Sequence, residues 1–121
     1  MIQVYVCSIY FWTAIHKLYS RDWLQATAVA NALKSPMWSR NPRTGLLRQT
    51  WMLRAAAVGT LCFEFFAPLA LFAAELSITV MVLGVALHVG IWRGLRIGYF
   101  SPLMIAAILS FGGPIFSWLA R

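Results

Sequence analysis

The chain contains few charged residues and very few acidic ones, with three Asp or Glu against ten Lys or Arg. Only 11% of its 121 residues are charged, whereas a soluble domain carries about 25%. Hydrophobic residues make up 61% of the chain, and its mean hydropathy is +0.74. This composition excludes an ordinary soluble protein and predicts an all-α integral membrane protein, with room for about four spanning helices of roughly 20 residues each.

Cysteine is also scarce, since the chain has only Cys7 and Cys62. Each lies in an apolar run with no His or Cys at ligand spacing, which favours small buried side chains over a disulfide. We therefore expect no metal site. The net charge of +7 would suggest nucleic acid in a soluble protein. Here the basic residues flank apolar segments, so we expect membrane lipids as partners and no nucleic acid.

The apolar runs predict a single transmembrane helical domain over residues 1–121. Its four predicted spans are residues 2–19, 47–74, 76–93 and 102–119. A shorter helix is predicted over residues 23–33, with Asp22 as its N-cap. Because a helix of this length cannot cross a bilayer, we expect it to lie along the membrane interface.

The last predicted span carries start and break signals of its own. Ser101 followed by Pro102 is typical of an N-cap with proline at the first helical position. Further along, Gly112-Gly113-Pro114 predicts a kink or a break.

Small residues and tryptophans predict how the helices contact one another and the membrane. Gly59 and the stripe formed by Gly90, Gly94 and Gly98 suit close helix packing. The predicted interface anchors are the tryptophans next to span ends, namely Trp23, Trp51 and Trp92.

Charge asymmetry predicts the orientation in the membrane. Nine of the ten basic residues fall on the side that holds the loop 34–46, namely Lys17, Arg21, Lys34, Arg40, Arg43, Arg48, Arg54, Arg93 and Arg96. The positive-inside rule then places this loop in the cytoplasm and both termini outside it, with the bacterial inner membrane as the expected location.

Three ionisable residues are candidates for chemistry. Glu64 lies near the middle of its span, where an ionisable group is costly and indicates function by default; the alternative is a protonated side chain that holds helices together. His88 suits a proton relay or a ligand contact, or else a structural hydrogen bond. Lys17 suits a base removed from water, or a snorkelling anchor at the end of the first span.

Two neighbouring features do not add to this candidate set. His16 is adjacent to Lys17, so on a helix the two side chains point about 100° apart and cannot both face one site. The aromatic run Tyr10, Phe11 and Trp12 is more typical of lipid-facing packing than of a cofactor site.

These motifs resemble the HTTM family, the membrane domain shared with vitamin K-dependent γ-carboxylase. The resemblance covers roughly residues 5–111. It is carried in order by Tyr10-Phe11, Ile15-His16-Lys17-Leu18, Asp22-Trp23, Glu64 within LCFEFFAPLALF, His88 within GVALHVGI, and IGYFSPLMIA at residues 97–106. In the carboxylase, the second residue of the corresponding basic pair deprotonates vitamin K hydroquinone, and that place is Lys17 here. An acidic residue and a histidine of the family align with Glu64 and His88.

The resemblance leaves three functions open. Relative to the family, the chain lacks upstream helices and the extramembrane domain that binds a protein substrate, so we do not expect a carboxylase acting on glutamates. The leading prediction is a small accessory subunit of a larger membrane complex, photosynthetic or respiratory, with lipid or quinone contacts and no certain cofactor. The alternatives are a quinone-dependent enzyme with Lys17 as base, and a small transporter or proton path through Glu64 and His88.

Overall fold

The computed structural model describes residues 1–40, 49–71 and 73–113. This part of the chain is all-helical, with six α-helices. They are α1 (Ile2–Leu18), α2 (Arg21–Leu24), α3 (Ala28–Lys34), α4 (Thr50–Phe66), α5 (Ala74–Gly94) and α6 (Phe100–Ile108). A 3-10 helix continues α4 over Ala67–Leu71, and another continues α6 over Leu109–Gly112.

Two helical segments are long and apolar enough to cross a membrane. Thr50–Ala70 has 21 residues and Glu75–Gly94 has 20 residues, which at 1.5 Å per residue matches a hydrocarbon core of about 30 Å. Only 28% and 22% of their most apolar 18-residue windows are buried inside the protein. Most of their apolar surface therefore faces outward, as in a lipid-exposed span. These helices occupy the predicted spans 47–74 and 76–93.

The predicted span 2–19 is one residue shorter in the structure, and the predicted span 102–119 is described only as far as residue 113. For the predicted span 2–19, α1 has 17 residues, about 25 Å at 1.5 Å per residue, and large exposed side chains such as Tyr5 and Trp12 line its outer face. For the predicted span 102–119, α6 and its 3-10 extension end at Gly112. Residues 114–119, including Pro114 of the predicted break, lie outside the described residues.

The predicted interfacial helix 23–33 is divided in two, contrary to the prediction. Ala26 adopts a positive φ of 55°, and the Thr27 N–H donates to the Asp22 carbonyl at 2.8 Å. This tight turn ends α2 and redirects the chain into α3, which packs against α4. Asp22 is not an N-cap, because α2 begins at Arg21 after Ser20 and no side-chain cap bond forms.

The start of α6 also differs from the prediction. The helix begins at Phe100 after Tyr99, so Ser101 and Pro102 lie inside its first turn. Ser101 is fully buried. The predicted N-cap role of Ser101 is therefore wrong, because Tyr99 occupies that position and no side-chain cap bond forms. Near the predicted break, the helix tightens to 3-10 geometry over Leu109–Gly112.

A close glycine-mediated helix contact lies at Gly84 of α5. A Cβ there would lie 3.0 Å from Ile108 Cδ1 and 3.1 Å from Phe63 Cζ, so α5 approaches α4 and α6 closely at this point. The predicted packing glycines have different surroundings. A Cβ added at Gly94 would lie 3.3 Å from Leu33 Cδ2, whereas added Cβ atoms at Gly59, Gly90 and Gly98 would meet nothing described within 4 Å.

The first part of the predicted loop 34–46 is attached to the end of α5. The Arg40 N–H donates to the Gly94 carbonyl at 3.0 Å, and the Arg96 N–H donates to the Trp38 carbonyl at 2.7 Å. Ser39 and Leu95 form a β-bridge between them. Residues 41–46 of the loop lie outside the described residues.

Candidate functional site

A cavity of about 530 Å³ lies between the helices, and all six contribute to its wall. We call it the central cavity. Its wall is mostly apolar, with Leu53, Ile91 and Met104 among its members. The polar and ionisable side chains that line it are Tyr10, Thr13, Lys17, Thr60, Glu64 and His88.

An ion pair lies in this wall between Lys17 near the end of α1 and Glu64 in the second half of α4. Lys17 Nζ donates to Glu64 Oε1, across 47 positions of sequence. The Lys17 side chain is only 19% exposed and that of Glu64 only 9% exposed. Lys17 therefore points into the bundle, and its side chain does not extend outward as a snorkelling anchor.

The surroundings of the pair are unsymmetrical. On one side, Lys17 Nζ lies 4.6 Å from the centroid of the Trp23 ring, a cation–π contact that stabilises the ammonium. On the other side, Glu64 Oε2 is buried and has no hydrogen-bond partner among the described residues. A buried carboxylate oxygen without a partner is costly. The free oxygen can therefore accept a hydrogen bond from a bound molecule.

A second polar pair joins α1 to α5. The Tyr10 hydroxyl lies 3.0 Å from His88 Nε2, and the two residues are only 2% and 3% exposed. His88 Nδ1 is buried and has no partner in the part of the chain that the structure describes. The His88 ring also packs edge-on against Phe100, with a centroid separation of 5.7 Å.

Helical periodicity explains why both pairs reach one cavity. Tyr10 and Lys17 are two helical turns apart on α1, so their side chains lie on the same face. Thr60 and Glu64 are one turn apart on α4, and both lie on the face of α4 that lines the same cavity. The wall of the central cavity therefore carries two polar pairs, Lys17–Glu64 and Tyr10–His88.

The structure thus brings together the three residues singled out from the sequence, Lys17, Glu64 and His88. His16 does not join them, because it is exposed and its ring packs against Trp12 at 5.8 Å. Sequence reasoning missed Tyr10, since it assigned the aromatic run 10–12 to lipid-facing packing. Phe11 and Trp12 are exposed as expected. The two-turn spacing between Tyr10 and Lys17 was the signal that could have identified Tyr10.

The three predicted tryptophan anchors occupy different environments. Trp51 and Trp92 are exposed at the beginning of α4 and near the end of α5, positions that suit a membrane interface. Trp23 is half-buried and lines the central cavity above Lys17. Trp23 therefore contacts the ion pair, and its role as an interface anchor stays a prediction.

Metal-ligating side chains do not cluster in residues 1–40, 49–71 and 73–113, where no group of three or more His, Cys, Asp or Glu could hold an ion. Cys7 is buried and Cys62 is exposed, and neither forms a disulfide.

Comparison with known proteins identifies the family of the chain. A family model described as the HTTM domain matches residues 1–116, which confirms the resemblance inferred from the motifs. No curated protein and no solved structure gives a significant match to the chain.

Proposed function

The chain belongs to the HTTM family, a membrane domain found in vitamin K carboxylase-like proteins, and on this basis we propose that it binds a lipophilic quinone or hydroquinone in the central cavity. In this proposal Lys17 is the base that accepts a proton from the ligand. The observation that carries the proposal is the convergence of Lys17, Glu64 and His88 on one mostly apolar cavity.

The cavity has the size and polarity of a small-molecule site. Its volume of about 530 Å³ falls within the range of roughly 300–1,000 Å³ found for ligand pockets. Such pockets combine an apolar wall with a few placed polar groups that fix the orientation of the ligand. A quinone ring with an isoprenoid tail meets this description, since its ring is flat and apolar and carries two oxygens.

The Lys17–Glu64 pair provides a route to a neutral base inside the membrane. Transfer of a proton from the Lys17 ammonium to the Glu64 carboxylate leaves a neutral amine and a neutral acid, and so removes two buried charges. The amine can then take the proton of a ligand hydroxyl. The products are a hydroquinone monoanion and the Lys17 ammonium, and their opposite charges stabilise each other.

Ligand binding by the full chain in lipid nanodiscs tests the proposal. The probe is a naphthohydroquinone with a short isoprenoid tail, kept reduced, and its binding is followed by quenching of tryptophan fluorescence. Loss of a hydrogen bond to a charged group costs about 1.5–3 kcal/mol, so Lys17→Met should weaken the affinity roughly ten- to a hundredfold. In Lys17→Met, the absorbance of the bound hydroquinone monoanion should also disappear.

Lys34→Met is the matched control, because Lys34 is an exposed lysine at the end of α3. It should leave both the affinity and the absorbance of the hydroquinone monoanion unchanged. Equal binding by the wild type and Lys17→Met, or no binding by the wild type, would refute the proposal.

The accessory-subunit function and the proton path through Glu64 and His88 stay predictions. The exposed outer face, with Tyr5, Trp12 and Phe66 among its large side chains, suits membrane lipid and protein subunits alike. Native mass in mild detergent tests the accessory-subunit prediction. Co-migration with a large assembly supports it, and a small monodisperse species argues against it.

A further inference from the structure

We propose that Tyr10 is a positioning residue, which holds His88 in the tautomer that carries its proton on Nδ1 and so makes this N–H a donor to an oxygen of the bound ligand. The inference deepens the proposed function and rests on it for the identity of the ligand. It concerns the second polar pair in the wall of the central cavity, Tyr10–His88.

The direction of the Tyr10–His88 hydrogen bond follows from the chemistry of its two groups. A phenol is a good donor and a weak acceptor, whereas the unprotonated nitrogen of a neutral imidazole is a good acceptor. At a separation of 3.0 Å, the favoured arrangement has the Tyr10 O–H donating to His88 Nε2. The proton of the neutral imidazole must then be on Nδ1.

This tautomer leaves a donor without a partner. His88 is 3% exposed, and its Nδ1 has no hydrogen-bond partner among the described residues, the buried Ser101 hydroxyl included. A buried donor that lacks an acceptor is costly, at about 1–3 kcal/mol. Because His88 lines the central cavity, an oxygen of a bound molecule can satisfy it.

The groups that face the pair favour a neutral His88 over an imidazolium. Besides Tyr10, the ionisable side chains of the same cavity are Lys17 from α1 and Glu64 from α4, and these two already neutralise each other. From α6, the uncharged Phe100 ring packs against His88. Among the described residues, no carboxylate besides Glu64 lines the cavity to pair with a second cation, and a buried charge without a partner is strongly disfavoured.

The two polar pairs in one cavity define the class of ligand more narrowly. Glu64 Oε2 can accept a hydrogen bond and Lys17 exchanges a proton, while His88 Nδ1–H only donates. A ligand that satisfies both pairs has a hydroxyl on a flat apolar ring system and a second oxygen that accepts a hydrogen bond. A 1,4-hydroquinone or its monoanion meets this requirement, whereas the oxidised quinone has no hydroxyl to donate.

Solid-state ¹⁵N NMR of the ligand-free full chain in lipid tests the role of Tyr10. The chain has two histidines, so His16→Gln assigns the His88 signals. Protonated and unprotonated imidazole nitrogens differ widely in ¹⁵N shift. We expect Nδ1 protonated and Nε2 unprotonated in the wild type, and an increased share of the opposite tautomer in Tyr10→Phe. Protonation on Nε2 in the wild type, or an unchanged tautomer in Tyr10→Phe, overturns the inference.

Ligand affinity provides the second readout. Tyr10→Phe should weaken binding of the same naphthohydroquinone about fivefold, the effect of one neutral hydrogen bond. Tyr5→Phe, which alters an exposed tyrosine of the same helix, should change neither the tautomer nor the affinity. If Tyr10→Phe changes the tautomer of His88 without any loss of affinity, the role of the His88 Nδ1–H in ligand binding is overturned. No quinone binding by the wild type refutes the proposed function, whereas the tautomer measurement still decides whether Tyr10 positions His88.

Discussion

At the scale of single residues, the Lys17–Glu64 pair places two opposite charges where water is scarce. Burial of an ion is expensive, and the mutual attraction of the two charges offsets this cost only while both partners are present. Glu64 Oε2 has no hydrogen bond, so the pair is incompletely satisfied. An arrangement of this kind contributes little to stability and is better explained by chemistry in the cavity.

Removal of one partner should destabilise the protein much more than removal of both. Glu64→Leu leaves Lys17 unpaired and should lower the free energy of unfolding by about 3 kcal/mol. The double variant Lys17→Met with Glu64→Leu should recover most of that loss, because no buried charge remains. Unfolding in mixed detergent micelles measures both values.

The control for this pair of variants is Glu75→Leu, which removes an exposed carboxylate from the first turn of α5. It should leave the free energy of unfolding nearly unchanged. A double variant as unstable as Glu64→Leu would show that the ion pair is itself a net source of stability.

At the scale of helices, close packing is concentrated where α5 meets α4 and α6. Gly84 allows this approach, and Ile108 and Phe63 fill the space that its side chain would occupy. Around it, a core cluster joins α1, the 3-10 helix after α4, α5 and α6, with Val6, Ala67 and Phe111 among its buried members. Membrane helices associate through this kind of van der Waals contact, since lipid is as apolar as their side chains.

Enlargement of Gly84 should therefore disturb the bundle. Gly84→Leu forces Ile108 and Phe63 to move and should lower the free energy of unfolding by about 1–3 kcal/mol. Gly59→Ala is the matched control, because nothing described lies within 4 Å of an added Cβ there. It should be neutral or stabilise the helix by up to about 1 kcal/mol. Equal effects of the two variants in the same unfolding assay would contradict this account.

At the scale of the whole molecule, basic residues gather at one end of the bundle. Arg93 precedes Gly94, the last residue of α5, and the Arg40 N–H donates to the Gly94 carbonyl. Lys34 follows Leu33, whose Cδ2 lies 3.3 Å from the place that a Cβ of Gly94 would occupy. Glu75 lies at the opposite end of α5. This polarity along the bundle axis agrees with the charge asymmetry from which the orientation is predicted.

Cysteine accessibility tests the orientation. In a background with Cys7 and Cys62 replaced by Ala, Lys34→Cys should react with a membrane-impermeant maleimide only in inside-out vesicles. Glu75→Cys, at the other end of α5, should react only in right-side-out vesicles. The reverse pattern would place the loop 34–46 outside the cytoplasm and refute the positive-inside prediction for this chain.

The amino-acid sequence by itself predicted the all-helical class of the protein, its family, and the two helices that are long and apolar enough to span a membrane, which are two of the four spans predicted. These properties depend on composition and on long apolar runs, which need no knowledge of how the helices contact one another. Local turns were less predictable. The division of residues 23–33 depends on a positive φ at Ala26, a residue type that rarely adopts one, and on packing of α3 against α4.

Only the tertiary structure decided what the ionisable residues do. Lys17 and Glu64 are 47 positions apart, and Tyr10 and His88 are 78 apart. The sequence shows which side chains share one helical face, but the rotation of each helix about its axis decides which faces meet. That rotation is set by packing at points such as Gly84. Packing therefore placed Lys17 opposite Glu64 in a cavity, whereas the sequence alone favoured a snorkelling anchor over a base for Lys17.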